Sequence, residues 1–169
     1  MKQTIQFIGM VAATCAALTS CTNNKTDETQ AATQWVSLFN GEDLQGWQTY
    51  VSYQPKDSKY QDPDDMPVRG VNNDPKEVFS AHDGMLRISG EEWGGISTIE
   101  EYGNFHLKFD VKWGDKKWPP RVNLPRDSGV LYFAVGEPGR SMNHWMRSHE
   151  MQIQVGDSGD YHSLAGVLI

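Results

Sequence analysis

Strict alternation of apolar and polar residues marks one stretch late in the chain. Within residues 149–155 the apolar and polar side chains take turns: Met151, Ile153 and Val155 against Glu150, Gln152 and Gln154. A period of two predicts a β-strand, because successive side chains of a strand point to opposite faces. A carboxylate followed by two amides lines one face with hydrogen-bonding groups roughly 7 Å apart. Such a row suits a sugar.

The same alternation recurs upstream and predicts further strands. It is longest over residues 104–113, less strict over 128–135, and short between glycines at 84–90 and 95–99. No segment shows the period of a helix. Short strands with one apolar face each predict an all-β fold of two packed antiparallel sheets, a sandwich or jelly roll.

The amino terminus has the pattern of a lipoprotein signal peptide. Lys2 precedes an apolar run over residues 7–18, and small residues stand before Cys21. The run is too short to span a bilayer. We therefore expect cleavage after residue 20, lipidation of Cys21, and a flexible polar tether over residues 21–34. Thr22 is not a retention signal, so the expected location is the outer membrane, facing the periplasm or the cell surface.

Residues 35–169 are the right length for one domain. The formal net charge of the chain is −7, which argues against nucleic acid or an anionic lipid surface as a partner. Cys15 and Cys21 are the two cysteines, and Cys15 would leave with the signal peptide. Stability is therefore expected to come from the core and not from disulfides.

Five segments, in order along the chain, resemble those of the bacterial 3-keto-disaccharide hydrolase family. The opening at residues 35–47 resembles the family's first segment, and Gly84-Met85-Leu86 its first inner strand. The other motifs are Tyr102-Gly103-Asn104-Phe105-His106-Leu107-Lys108-Phe109, Asp127-Ser128-Gly129-Val130 and His149-Glu150-Met151-Gln152-Ile153-Gln154.

This resemblance implies a concanavalin A-like sandwich on a bacterial lipoprotein. It also implies cleavage of glycosides already oxidised to a ketone at carbon 3, so that a separate sugar 3-dehydrogenase must supply the substrate. Members of the family normally continue for several more strands, whereas this sequence stops in the apolar run Gly166-Val167-Leu168-Ile169. We therefore expect the chain to be truncated at its carboxyl end.

The expected chemistry needs a base, a donor to an enolate and an acid for the leaving oxygen. Glu150 is the candidate base or metal ligand, and Gln152 the candidate donor. Asp127 is an acid partner or ligand. His162 follows the hairpin-like turn 156–160, which would bring it back beside Glu150, so it is a candidate acid or metal ligand.

Further polar and aromatic residues near these strands are expected to bind the sugar: Gln154, Ser128, Tyr132, Trp145 and His144. A tryptophan here would stack on a sugar face, although each of these residues also suits a structural role. A divalent metal ion stays open as a cofactor. No phosphate-binding loop and no Gly-x-Ser-x-Gly nucleophile elbow occurs.

Two other functions compete with the enzyme. A non-catalytic lectin-like module would use the same sandwich and needs only aromatics and amides. A retaining glycosidase needs two carboxyl groups about 5 Å apart, and the strand carrying Glu150 has Gln152 and Val155 where laminarinase-like strands carry acids. The sequence favours the keto-glycoside enzyme over both.

Overall fold

The chain forms antiparallel β-sheets, and its described part contains no helix. The computed structural model describes residues 7–11, 35–53 and 67–167. The strands are β1 (Phe7–Val11), β2 (Val36–Ser37), β3 (Trp47–Ser52), β4 (Val68–Val71), β5 (Phe79–His82), β6 (Met85–Ile88), β7 (Trp93–Thr98), β8 (Phe105–Phe109), β9 (Gly129–Val135), β10 (Arg147–Gln152) and β11 (Tyr161–Leu164). The predicted all-β class is confirmed, and the sheets are consistent with a β-sandwich.

These strands form three sheets of three strands and one hairpin. The orders are β2-β1-β8, β11-β10-β9, β4-β3-β7 and β5-β6. All of these pairings are antiparallel. The described residues include no helix that is long and apolar enough to cross a membrane.

Strand β1 lies inside the predicted signal peptide. It pairs with β8 along its whole length, from Phe7 opposite Phe109 to Val11 opposite Phe105, and it also pairs with β2. Cys21 and the tether 21–34 fall outside the described residues. Signal cleavage and lipidation therefore stay predictions.

The strand predicted over residues 104–113 is shorter in the structure. Burial alternates as expected, with Phe105 and Leu107 partly buried and His106 and Lys108 exposed. The strand ends at Phe109, and residues 110–113 belong to no strand. An alternating sequence thus extends beyond the hydrogen-bonded strand.

The best-buried part of the core surrounds β3. Val51 and Val78 are fully buried and Phe79 nearly so, with Leu44 and Ile96 packed against them. Strand β7 comes very close to β3 here, since a β-carbon on Gly94 would lie 2.3 Å from the Tyr50 carbonyl oxygen. Only glycine permits this approach.

An ion-pair network around one buried carboxylate joins β4 to the segment just before β7. The Glu92 carboxylate is 3% exposed and accepts two hydrogen bonds from Arg69, at 2.6 and 2.7 Å, while Lys76 Nζ lies 3.0 Å away. Burial raises the pKa of Glu92, but the hydrogen bonds from Arg69 and Lys76 outweigh that effect and hold the pKa below its usual value. Glu92 is therefore a paired structural anion.

A buried histidine joins the segment before β10 to β3. His144 is 1% exposed, its Nδ1 hydrogen-bonds Ser52 Oγ, and its ring stacks on Trp93 with centroids 5.2 Å apart. Trp145 Nε1 donates to the Gly94 carbonyl at 3.2 Å. Burial lowers the pKa of His144 to about 4, so the ring is neutral at physiological pH.

We predict that Gly94→Ala destabilises the domain by about 1–3 kcal/mol, because its methyl group would force β7 away from β3. Gly95→Ala is the matched control, since a β-carbon there meets only Trp145 Cδ1, at 3.9 Å. Urea unfolding of both variants measures the difference. Equal losses in the two variants would contradict the tight approach at Gly94.

We also predict that the free energy of unfolding falls as pH drops from about 6.5 to about 4. In this window the unfolded histidine binds a proton that buried His144 does not, so acid favours unfolding. One pKa unit is worth about 1.4 kcal/mol, which makes the largest effect about 3 kcal/mol.

The measurement is urea unfolding of wild type and His144→Gln across this pH range, with exposed His106→Gln as the control. The His144→Gln curve should be flatter by the stated amount, whatever its absolute stability. An unchanged slope would show that His144 does not titrate in this way.

Candidate active site

The candidate site is built on one face of the sheet β11-β10-β9. Antiparallel register places Glu150 of β10 directly opposite His162 of β11 and Leu131 of β9. Directly opposed residues share a face, with β-carbons about 5 Å apart. The expectation that the turn after β10 returns His162 to Glu150 is therefore met by the register.

The end of this face nearest the start of β10 is buried. Ser148 is fully buried and stands opposite Leu164, which is 8% exposed. The alternation places Met151 on the opposite face of β10, and Met151 is 37% exposed. The half-buried carboxylate of Glu150 thus lies on the better-packed face.

Glu150 is set in a niche that only glycine can leave open. A β-carbon on Gly129 would lie 1.9 Å from Glu150 Oε1 and 2.6 Å from its carboxyl carbon. Burial raises the pKa of Glu150, the charge of His162 partly offsets this rise, and the negative charge of Asp127 adds to it. A partly desolvated carboxylate is a stronger base than one in water.

Asp127 stands at the entrance to β9 in an ion pair with Arg121. The distance from Arg121 Nη2 to Asp127 Oδ2 is 2.8 Å, and both side chains are about one-third exposed. Since Arg121 lies within the long loop before β9, this pair holds the loop against the site. The structure places Asp127 near enough to act on Glu150 through charge.

The two predicted glutamines are placed differently. Gln152 shares the Glu150 face, and its Oε1 accepts a hydrogen bond from the Ile153 amide at 3.1 Å. Its side-chain NH₂ donors have no acceptor among the described residues. Gln154 lies beyond the end of β10, where its Nε2 donates to Asp157 at 2.5 Å and its Oε1 lies 3.5 Å from Arg121. The predicted polar row therefore ends at Gln152.

Two predicted sugar contacts, Ser128 just before β9 and Tyr132 within it, are also placed differently. Ser128 adjoins the site, and its carbonyl accepts the Ile153 amide at 2.7 Å. Tyr132 is paired with His149, so it lies on the face opposite to Glu150. Its ring lies 5.5 Å from that of His149, in an aromatic group with Phe133 and Tyr161.

His144 and Trp145 lie apart from the Glu150 row, in the segment before β10, and contact residues of β3 and β7. The buried His144 Nε2 has no hydrogen-bond partner, as is true of Arg126 Nε in the described part of the chain. Both rings nevertheless line the same cleft as Glu150, Gln152 and His162. The structure thus brings together Glu150, His162, Gln152 and Asp127, and sets His144 and Trp145 at a separate part of the wall.

Residues 35–53 and 67–167 contain no preformed metal site. No group of three or more His, Cys, Asp or Glu side chains there is arranged to hold an ion. Glu150 and His162 are two potential ligands on one face, and a metal site would need a further one.

Three contributors to the site were not predicted. Gly129 was read as part of a strand motif, although a glycine inside a strand is itself a signal of close approach. Arg121 lies in a loop without periodicity. Ser52, which hydrogen-bonds His144, is 92 residues away from it in the chain. No local sequence pattern predicts such a contact.

Comparison with known proteins adds one finding to this geometry. Residues 34–169 match the family described as the 3-keto-alpha-glucoside-1,2-lyase-like domain. No curated protein and no solved structure matches the chain. The match covers most of the chain, and the suspected resemblance is confirmed: the chain belongs to the 3-keto-alpha-glucoside-1,2-lyase-like family, a carbohydrate-related family of hydrolases and lyases.

Proposed function

We propose that this domain cleaves glycosides that carry a ketone at carbon 3, with Glu150 as the base. The observation that carries the proposal is a half-buried carboxylate seated on Gly129 and facing His162 across the strand pair. The family to which the chain belongs supports the substrate class.

The reaction follows from the acidity that the ketone confers on the hydrogen at carbon 2. Glu150 removes that proton, and the electron pair becomes an enolate with its charge on the carbon 3 oxygen. The enolate then collapses, the bond from carbon 1 to the glycosidic oxygen breaks, and His162 protonates the leaving oxygen. The products are an unsaturated keto sugar and an alcohol, and addition of water to the unsaturated sugar completes hydrolysis.

The enolate needs a hydrogen-bond donor at its oxygen. Gln152 supports this role, because its Oε1 is engaged by the Ile153 amide and its NH₂ group is left to donate. Donors held in advance by the protein stabilise developing charge without a reorganisation cost. In this proposal Asp127 is not the acid. It is ion-paired with Arg121 and acts on Glu150 through its charge.

We predict that Glu150→Gln lowers turnover of a 3-keto-glycoside by about 10²–10⁴-fold, the usual effect of losing a general base. Binding of the unoxidised glycoside should be retained, because the amide keeps the shape of the side chain. Released alcohol measures the first quantity and calorimetry the second. A wild-type protein that binds sugars but cleaves no keto-glycoside would support the lectin-like module instead.

The pH dependence of the wild type gives a second readout of the same base. Because burial raises the pKa of Glu150 above its ordinary value of 4.5, kcat/KM should fall as pH is lowered through a value above 4.5. An acid limb at or below 4.5 would point to a different base.

We predict that Gly129→Ala lowers turnover about as far as Glu150→Gln does, while the domain stays folded. The added methyl group would occupy the position of the carboxylate and push it out of its niche. Gly103→Ala is the matched control, because nothing lies within 4 Å of a β-carbon there. Turnover and circular dichroism of the two variants make the comparison, and an active Gly129→Ala would refute the seated carboxylate.

A further inference from the structure

The loop between β8 and β9 has a positive net charge, whereas the net charge of the chain as a whole is negative. Residues 114–126 contain four cationic residues and one acidic residue, a net charge of +3 in a chain of net charge −7. The cationic residues are Lys116, Lys117, Arg121 and Arg126. We call residues 114–126 the basic loop.

Three of these four cations have no carboxylate partner among the described residues. Lys117 Nζ donates to the Leu124 carbonyl at 2.7 Å, and Arg126 Nη2 donates to the Asp115 carbonyl at 3.0 Å. Lys116 Nζ lies 3.4 Å from the centre of the Trp118 ring. Carbonyl oxygens and an aromatic ring hold a cation in place without neutralising its charge.

The basic loop is fixed at the cleft that contains Glu150. Trp118 Nε1 donates to the Ser89 carbonyl at 3.0 Å, and Arg121 reaches Asp127 at 2.8 Å. Both the loop and Glu150 line the same cleft. The cations of the loop are therefore held on its wall.

No carboxylate of the candidate site pairs with Lys116, Lys117 or Arg126. Arg121 already pairs with Asp127, and the pKa of Glu150 is raised, which is the opposite of what a bound cation does. Lys116, Lys117 and Arg126 thus remain as unmatched positive charge on a cleft wall. Carboxylates line other parts of this cleft, so the positive charge is local to the basic loop. A local group of cations attracts an anionic group of a ligand to that part of the wall.

We propose that the preferred substrates carry an anionic group, a carboxylate or a sulfate, which binds against Lys116, Lys117 and Arg126. This inference rests on the proposed function for the reaction, and adds to it the chemical class of the sugar. Uronic acid glycosides and sulfated glycosides are the two sources of such a group.

The test compares three 3-keto-glycosides with one common leaving group: a glucoside, the matching glucuronide and the 6-sulfate. We expect at least one anionic substrate to exceed the glucoside by about tenfold in kcat/KM at low salt, the worth of one charge-assisted contact. The difference should shrink at high ionic strength.

The charge variants are Lys116→Gln and Lys117→Gln, alone and together. Each should lower kcat/KM for the preferred anionic substrate severalfold and leave the glucoside unchanged. Lys108→Gln is the matched control, because Lys108 also lies over a tryptophan ring, Trp35, at 4.4 Å, but outside the cleft lining. It should change none of the three rates.

The outcomes separate this inference from the proposed function. Cleavage of all three substrates at equal rates, with Glu150→Gln inactive, would overturn the inference and leave the reaction standing. If no substrate is cleaved, calorimetry with the unoxidised glucoside, glucuronide and 6-sulfate decides: tighter binding of an anionic sugar, lost in the double lysine variant, upholds the inference. Equal binding overturns it.

Discussion

The register of β10 between β9 and β11 is the constraint on which the candidate site depends. Since side chains alternate across a strand, a slip of one residue would move Glu150 to the other face and bring His149 in its place. The register is held at one end by buried Ser148 opposite Leu164. At the other end, backbone bonds between Gln152 and the turn after it, such as Gln152 N to Asp160 O at 2.9 Å, close the hairpin.

Two buried or half-buried glutamates show how neighbours decide the role of one residue type. Glu92 and Glu150 both lose water, and burial alone raises the pKa of each. Glu92 accepts hydrogen bonds from Arg69 and Lys76, which more than reverse the effect, whereas Glu150 has the anion Asp127 nearby. The first is a fixed counter-charge in the framework, and the second keeps an affinity for protons that suits chemistry.

The sequence allowed prediction of those features that depend on local period. Alternation predicted the all-β class, and the turn at 156–160 predicted that His162 meets Glu150. Features that depend on long-range pairing could not be predicted from the sequence. Tyr132 lies on the far face because of its pairing with His149, and Gln154 leaves the polar row because the strand ends at Gln152. Nothing local shows that Ser52 meets His144, or that Arg121 reaches Asp127.

The niche at Gly129 has a consequence for how this domain can evolve. Every single-base change that replaces glycine with another amino acid introduces a β-carbon, and a β-carbon here would occupy the space of the Glu150 carboxylate. As long as Glu150 keeps its position, no amino-acid substitution at position 129 is therefore expected to be neutral. In a set of natural sequences, residue 129 should therefore change only together with residue 150.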